Sequence, residues 1–483
     1  MRRPWNSALL VAIGIIAAGL TNGTASAAGR TAAAGKIDWR ACGPASAAAE
    51  CGRLTVPLDW ARPGGTTTEV YVARVPAKDQ ANKLGSLVFT PGGPGGAGGS
   101  IFEAGFADQL FPQLRDRYDL VSFDPRGTGS SSQLNCGPVL RPGVPVFPKN
   151  QAEYDAMVAS SRATGEQCLK QHGELMRNLD TRTAARDMDA IRAALGETRL
   201  NFVGLSYGSY LGTTYAQLFP RRVGRMVLDG IVDHAQGSTR FMLSEAKAME
   251  DGFNRFAAWC AKDNTCALHG QDVGAVYDRL VRKADKTPLQ VAGHPPVNGD
   301  TIRLALPILL PKTELVGDPW PSLADAIALG AEGDGSGFAG ISYVGDLETA
   351  YAAVSCMDLP GELKGYADAK ARLAKAKRVA PRVGAAVEGW AITAACAGWP
   401  IPPSNPWRRT PVKDAAPILI TSTSDDPSTP VDSAFGLARQ IRGSRLLVAK
   451  AYGHTAYFNS ACARAAITSY LLEGKLPPKY STC

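Results

Sequence analysis

One short stretch restricts this chain more than any other: Val203-Gly204-Leu205-Ser206-Tyr207-Gly208, continued by Ser209-Tyr210-Leu211-Gly212. The apolar run Leu200 to Val203 reads as a short buried strand. Behind it Gly208, Leu211, Gly212, Tyr215 and Leu218 recur at helical spacing. Gly-x-Ser-x-Gly at such a junction is the pattern of a nucleophile elbow. The reason is steric. A serine on a very tight strand-to-helix turn takes a strained backbone, so the residues two before and two after it must lack bulk. With 51 glycines among 483 residues the pattern also fits a plain glycine-rich turn, and its surroundings have to decide.

The surroundings form a rhythm. Leu54 to Leu58 and Glu69 to Val75 read as early strands, the second suited to an edge hairpin. Ser86 to Thr90 is an apolar strand running into Pro91-Gly92-Gly93-Pro94-Gly95-Gly96-Ala97-Gly98-Gly99. Asp119 to Phe123 is another, ending at Asp124-Pro125-Arg126-Gly127-Thr128-Gly129-Ser130. A polar excursion follows to about Asn178. Thr181 to Leu195 then reads as an amphipathic helix with Ala184, Met188, Ile191 and Leu195 on one face and Gly196 as its stop. Arg225 to Asp229 follows the elbow as a further strand. Strands alternating with helices predict a largely parallel α/β sheet, in which ligands bind beyond the carboxyl ends of the strands. From about Asp233 to Pro411 the pattern turns mostly helical, over a length too great for a loop. The sheet resumes at Ala416 to Ser422. A helix from Ser433 to Ile441, a strand at Arg445 to Val448, the loop Tyr452-Gly453-His454-Thr455 and a helix near 461–472 complete the chain.

Composition narrows the class. Hydrophobic residues are 45% and charged residues 20%, as in ordinary globular proteins. Arg2 and Arg3, the apolar stretch Ala8 to Leu20 and the small residues Thr24-Ala25-Ser26-Ala27 read as a Sec-type signal peptide cut near Ala27. No cysteine follows before Cys42, so no lipid anchor is expected there, and no other segment has the length of a membrane span. A secreted protein is expected. Ten cysteines agree with an oxidising destination. Proximity in sequence suggests Cys42–Cys51, Cys136–Cys168, Cys260–Cys266, Cys356–Cys396 and Cys462–Cys483. No Cys/His spacing points to a metal. The net charge of +8 is spread along the chain, which reads as a solvated surface rather than a nucleic-acid interface.

A serine hydroxyl becomes a nucleophile only with a base to take its proton, a carboxylate to orient that base, and donors for the developing oxyanion. Of the five histidines, His454 alone lies just past a late core strand; His172, His234, His269 and His294 sit in the excursion or the helical region. The acid is expected after the strand at Ile418, where Ser424-Asp425-Asp426-Pro427-Ser428-Thr429-Pro430 offers two aspartates. The oxyanion donors are expected to be the backbone N–H of Tyr207 and one from the loop after Phe89, Gly93 with Gly92 as its alternate. Ser206, then aspartate, then His454 is the chain order of α/β-hydrolases.

Thr90-Pro91-Gly92-Gly93-Pro94-Gly95-Gly96, Asp124-Pro125-Arg126-Gly127-Thr128-Gly129, Gly204-Leu205-Ser206-Tyr207-Gly208 and Asp426-Pro427-Ser428-Thr429-Pro430 with Gly453-His454 resemble the secreted bacterial tripeptidyl aminopeptidases. These belong to the wider prolyl-aminopeptidase-like group of α/β-hydrolases. The resemblance selects Asp426, directly before Pro-x-Thr-Pro, over Asp425. It implies an α/β-hydrolase fold, a mostly parallel sheet flanked by helices, with a large, mainly helical inserted cap. The expected division is a signal peptide at 1–27, a first core part at 28–232, the cap at 233–411, and a second core part at 412–483. The activity implied is a serine peptidase that releases short peptides or residues from free N-termini through an acyl-enzyme, monomeric and without a cofactor. Pro91 stands where the more distant prolyl aminopeptidases have histidine. Binding a substrate ammonium needs carboxylates in the cap, and Glu245 and Glu250 are the candidates. The Asp124 to Gly127 turn is expected to be structural support. A carboxylesterase or lipase using the same triad is the alternative, and a non-catalytic binding module on the same fold is a further one.

Overall fold

Ten strands form one sheet in the computed structural model, which describes residues 35–43, 48–141, 143–312, 317–341 and 349–483. The expected signal peptide lies outside these residues. The strands are β1 (Arg40–Ala41), β2 (Glu50–Pro57), β3 (Thr67–Val75), β4 (Ser86–Thr90), β5 (Asp119–Phe123), β6 (Leu200–Leu205), β7 (Val223–Asp229), β8 (Ile418–Asp425), β9 (Arg445–Tyr452) and β10 (Tyr480–Thr482). Their order is β1-β2-β3-β5-β4-β6-β7-β8-β9-β10. β1, β2 and β3 pair antiparallel, as do β3 and β5; every pairing from β5 through β4 to β10 is parallel.

The central strands are buried on both faces, so they read as continuous apolar runs rather than alternating ones. Their side chains divide between two cores. Val88, Phe202, Met226, Leu228, Ile418 and Ile420 pack with Met188, Ile191, Leu211 and Leu437. Leu87, Phe89, Val203, Val227 and Leu419 pack with Phe102, Phe111, Ile467 and Leu471. These partners come from helices on either face. On the first are α4 (Thr181–Ala194), α5 (Tyr207–Leu218) and α13 (Val431–Ala438); on the second are α1 (Gly98–Glu103), the region of α2 (Ala107–Leu110), and α15 (Ala461–Glu473) after the short α14 (Ala456–Asn459).

Between β7 and β8 the described residues contain the helices α6 (Ser238–Cys260), α7 (Val273–Lys286), α8 (Gly299–Leu309), α9 (Trp320–Glu332), α10 (Thr349–Asp358), α11 (Tyr366–Val379) and α12 (Glu388–Cys396), with a short 3-10 turn at Ser336–Phe338 and an isolated bridge between Leu289 and Val297. Most of them share a core that holds Phe253, Phe256, Tyr277, Leu280, Leu323 and Trp390, joined by Tyr154 and Met157 from the excursion before α4. Helix α10 instead sends Ala350, Ala353, Val354 and Met357 into the first core of the sheet. One helix departs from the sequence reading. The polar excursion before α4 contains α3 (Gln151–His172), whose start is a reciprocal cap. Asn150 accepts from the Glu153 N–H at 2.9 Å, while the Glu153 carboxylate accepts from the Lys149 N–H at 2.7 Å.

Cysteines adjacent in sequence are joined: Cys42–Cys51, Cys136–Cys168, Cys260–Cys266, Cys356–Cys396 and Cys462–Cys483. No helix among the described residues is long and apolar enough to cross a membrane.

The Asp124–Gly127 turn is built around a buried ion pair. Arg126 donates to both carboxylate oxygens of Asp187 at 2.6 Å and to the carbonyls of Pro57 and Leu58, with both charged side chains 1% exposed. Removing one partner strands the other charge in the interior. Asp187→Ala is therefore expected to lower stability by about 3–5 kcal/mol, read as the shift in a denaturant midpoint.

Candidate active site

The parallel register brings four loops to one edge. Leu205 pairs with Asp229, Asp229 with Thr421, and Asp425 with Tyr452. Ser206, Gly230, Asp426 and the Gly453–His454 loop therefore leave neighbouring strands at the same, carboxyl, end. Ser206 sits on the turn between β6 and α5 at φ 56° and ψ −125°. That conformation costs an L-residue about 1–3 kcal/mol and persists only where the neighbours enforce it. The flanking glycines are required by contact. A Cβ on Gly204 would lie 2.2 Å from the Gly208 carbonyl oxygen, and one on Gly208 would lie 2.4 Å from Thr90 Oγ1.

His454 Nδ1 lies 3.0 Å from both carboxylate oxygens of Asp426. Asp426 is 1% exposed, yet four further donors reach it: the N–H groups of Ser428, Thr429 and Thr455, and the Thr429 hydroxyl. Burial works to raise its pKa, but the charge and hydrogen bond of His454, with the N–H groups of Thr429 and Thr455, outweigh it and hold the carboxyl below its ordinary value. For His454, burial works to lower the pKa. It is outweighed by the charge and hydrogen bond of Asp426, then by the charges of Glu388 and Asp229, and the imidazole ends above its ordinary 6.5. Asp425 is engaged elsewhere, by Arg255 at 2.5 Å. Among the described residues no hydrogen bond joins Ser206 Oγ to His454, whose ring bonds are all made at Nδ1.

A residue that the sequence reading left as a strand end ties the loops together. The carbonyl of Asp229 accepts from the Ser206 N–H at 2.8 Å. Its fully buried carboxylate accepts from the N–H groups of Ala456 and Tyr457, both at 2.8 Å, just beyond His454. One side chain and its own backbone thus fix the serine turn and the histidine loop to the same point of β7.

The glycine-rich loop after β4 lies against the elbow. A Cβ on Gly92 would come within 2.9 Å of Ser206 Cβ and 3.3 Å of the Tyr207 nitrogen. Gly92 sits at φ 106° and its carbonyl is taken by the Gly96 N–H at 3.0 Å. A trans peptide points its N–H opposite to its carbonyl, so the Gly93 N–H is directed away from that turn. Neither the Gly93 nor the Tyr207 N–H donates to another backbone group among the described residues.

The two cap acids singled out in the sequence part company. Glu250 is engaged within the cap. Its Oε2 accepts from the Arg382 and Val383 N–H groups, both at 2.9 Å, and its Oε1 faces Arg382 at 3.9 Å; it holds the turn before α12. Glu245 is 2% exposed and accepts from the Gly389 N–H at 2.7 Å. Beside it stands Glu388, the first residue of α12, which the sequence reading did not single out. Its carboxylate accepts from the Tyr351 hydroxyl of α10. Burial raises the pKa of Glu388; the Tyr351 bond and the charge of His454 work against that without cancelling it. Burial, and after it the charge of Glu388, pushes Glu245 well above the ordinary range. Two carboxylates thus stand together in the cap, one within electrostatic reach of the histidine.

A mostly parallel sheet with a strained serine after one strand and an acid-held histidine after another defines the α/β-hydrolase class. A family model described as "alpha/beta hydrolase fold" matches residues 85–314, and one described as "TAP-like protein" matches residues 382–483. The serine protease Hip1 of Mycobacterium tuberculosis is 32% identical, covering 92% of this chain and 91% of its own. The tripeptidyl aminopeptidase of Streptomyces lividans is 31% identical, covering 95% of this chain and 89% of its own. Carboxylesterase B of Mycobacterium tuberculosis is 32% identical, covering 100% of this chain and 98% of its own. The chain belongs to the tripeptidyl aminopeptidase-like family of α/β-hydrolases, and it is a serine hydrolase.

Proposed function

We propose that this enzyme is a secreted serine peptidase that removes short peptides, tripeptides foremost, from free N-termini. The observation that carries the reading is the carboxylate pair Glu388 and Glu245 in the cap: Glu245 accepts from the N–H of Gly389, the residue after Glu388, and the charge of Glu388 reaches His454. Two like charges held together out of water favour either a shared proton or a bound cation. The α-ammonium of a peptide is such a cation, and a neutral acyl ester brings none. The relatives named serine protease and tripeptidyl aminopeptidase support the peptide class. The five disulfides support an oxidising, extracytoplasmic destination.

In this reading Ser206 Oγ bonds to the scissile carbonyl carbon while its proton passes to His454 Nε2. Asp426 holds Nδ1–H and balances the imidazolium. The oxyanion is received by the N–H groups of Tyr207 and Gly93. Collapse breaks the C–N bond, and the amine leaves with the proton from His454. Water then repeats the sequence on the acyl-enzyme and releases the peptide as its carboxylate.

The test compares tripeptide amides with free and acetylated N-termini in the wild type and in Glu388→Gln. The wild type should strongly prefer the free amine. Glu388→Gln should lose about ten- to hundredfold in kcat/KM on it, the worth of one charge-assisted hydrogen bond. Equal rates on free and acetylated peptides would remove the exopeptidase reading. The relative named carboxylesterase B favours a second reading. Hydrolysis of p-nitrophenyl acyl esters with no cleavage of any peptide amide would establish that one instead.

A further inference from the structure

Cap helix α10 packs against the glycine-rich loop at one end and is joined to Tyr207 through Thr181 at the other. At its start a Cβ on Gly95, in the glycine-rich loop, would lie 3.6 Å from the Tyr351 nitrogen. Thr349 there accepts from the Cys136 N–H at 3.2 Å and donates to the Gly137 carbonyl at 3.1 Å, which anchors the helix to the core. At its other end Asp358, fully buried, gathers three donors from two segments, Thr181 at the start of α4 and Asn405. Its Oδ2 accepts from the Thr181 N–H at 2.8 Å and the Thr181 hydroxyl at 2.7 Å, and its Oδ1 from Asn405 Nδ2. Thr181 Oγ1 bonds both Asp358 Oδ2 and the Tyr207 hydroxyl, so one threonine oxygen links the carboxyl to the phenol. The same Asn405 amide donates to the Tyr210 hydroxyl one turn further along α5. The phenol of the residue after Ser206 is therefore moored, through Thr181, to a carboxylate of the cap.

We propose that Asp358 is a positioning residue. Through Thr181 and the phenol of Tyr207 it sets the backbone N–H of Tyr207, so that the cap completes the oxyanion hole. The proposal rests on the reading of Tyr207 as an oxyanion donor. A donor misplaced by about 1 Å loses on the order of a hundredfold in rate, so a moored side chain is a physical means of holding it.

The experiment uses the full-length enzyme and three variants: Tyr207→Phe, Thr181→Val and Asp358→Ala, with Thr181→Ser and Asp358→Asn as conservative partners. The readouts are kcat, KM and the affinity of a peptide boronic acid, which adopts the tetrahedral geometry. Tyr207→Phe and Thr181→Val should lower kcat roughly ten- to hundredfold with KM within about twofold, and boronate affinity should fall by the same factor. Thr181→Ser should stay within about threefold of wild type, since it keeps the hydroxyl in place. Asp358→Asn should fall between wild type and Asp358→Ala, since its carbonyl keeps one acceptor while its amide turns N–H groups toward Thr181 or Asn405. Tyr207→Phe combined with Asp358→Ala should lose no more than the worse single variant, because the two act along one path. Unchanged kcat and boronate affinity in Tyr207→Phe would overturn the proposal, as would losses that multiply in the double variant. Should Asp358→Ala not fold, Tyr207→Phe and Thr181→Val decide alone. An inactive wild type, or a fully active Ser206→Ala, would instead remove the reading beneath it.

Discussion

Ser206→Ala is expected to reduce kcat by about a millionfold, leaving only the catalysis that binding and oxyanion donors give on their own. The magnitude follows from the absence of a substitute: the acyl-enzyme needs an oxygen on that turn. The backbone at φ 56° is held by Gly204, Gly208 and the Asp229 carbonyl rather than by the hydroxyl. Alanine inherits the same strain, and the melting temperature should not move by more than a few degrees. Two measurements check this: initial rates on a chromogenic tripeptide amide, and labelling by a fluorophosphonate. The variant should show neither turnover nor label. A stable Ser206→Ala protein that still turns over and still takes label at another serine would place the nucleophile elsewhere.

The sheet and the elbow are legible in the sequence because they answer to local rules. A strand buried on both faces must be an apolar run, as Phe202-Val203 and Ile418-Leu419-Ile420 are, and a strained turn must have bare neighbours, as Ser206 has. Asp426 and His454 can be found because a parallel sheet sends each strand end to the same edge. What is hidden depends on packing between distant segments. Nothing near Val387-Glu388-Gly389 distinguishes Glu388 from an exposed helix acid; its place follows from how α12 packs on α6 and α10. Glu245 and Glu250 look alike in sequence, and only the chain at 382–383 shows that Glu250 is taken. Asp229 closes an apolar strand, and its grip on Ala456 and Tyr457 spans most of the second half of the chain. Helix α3 is a different omission. Its surface is polar nearly all round, so periodicity is weak there, but Asn150-x-x-Glu153 was a legible cap.

Asp426→Asn is expected to lower kcat by about ten-thousandfold with little change in KM, whereas Asp425→Asn should stay near wild type. An asparagine amide can donate to Nδ1, which then accepts, and the ring proton moves to Nε2. That nitrogen can no longer take the proton of Ser206. The carboxylate is also the meeting point of five donors, so the amide sets its own N–H groups against at least one of them and some stability is lost. The pH profile distinguishes the chemical loss from the structural one. Activity requires neutral His454, so kcat/KM falls as pH drops through its folded pKa. In the wild type that pKa lies above 6.5, because the charge of Asp426, aided by Glu388 and Asp229, outweighs burial. Removing the Asp426 charge leaves burial less opposed, and the acid limb of the residual activity should move to lower pH. Asp425→Asn leaves the His454 contacts in place and should keep the wild-type limb. A limb that stays fixed in Asp426→Asn and shifts in Asp425→Asn would exchange the roles of the two aspartates.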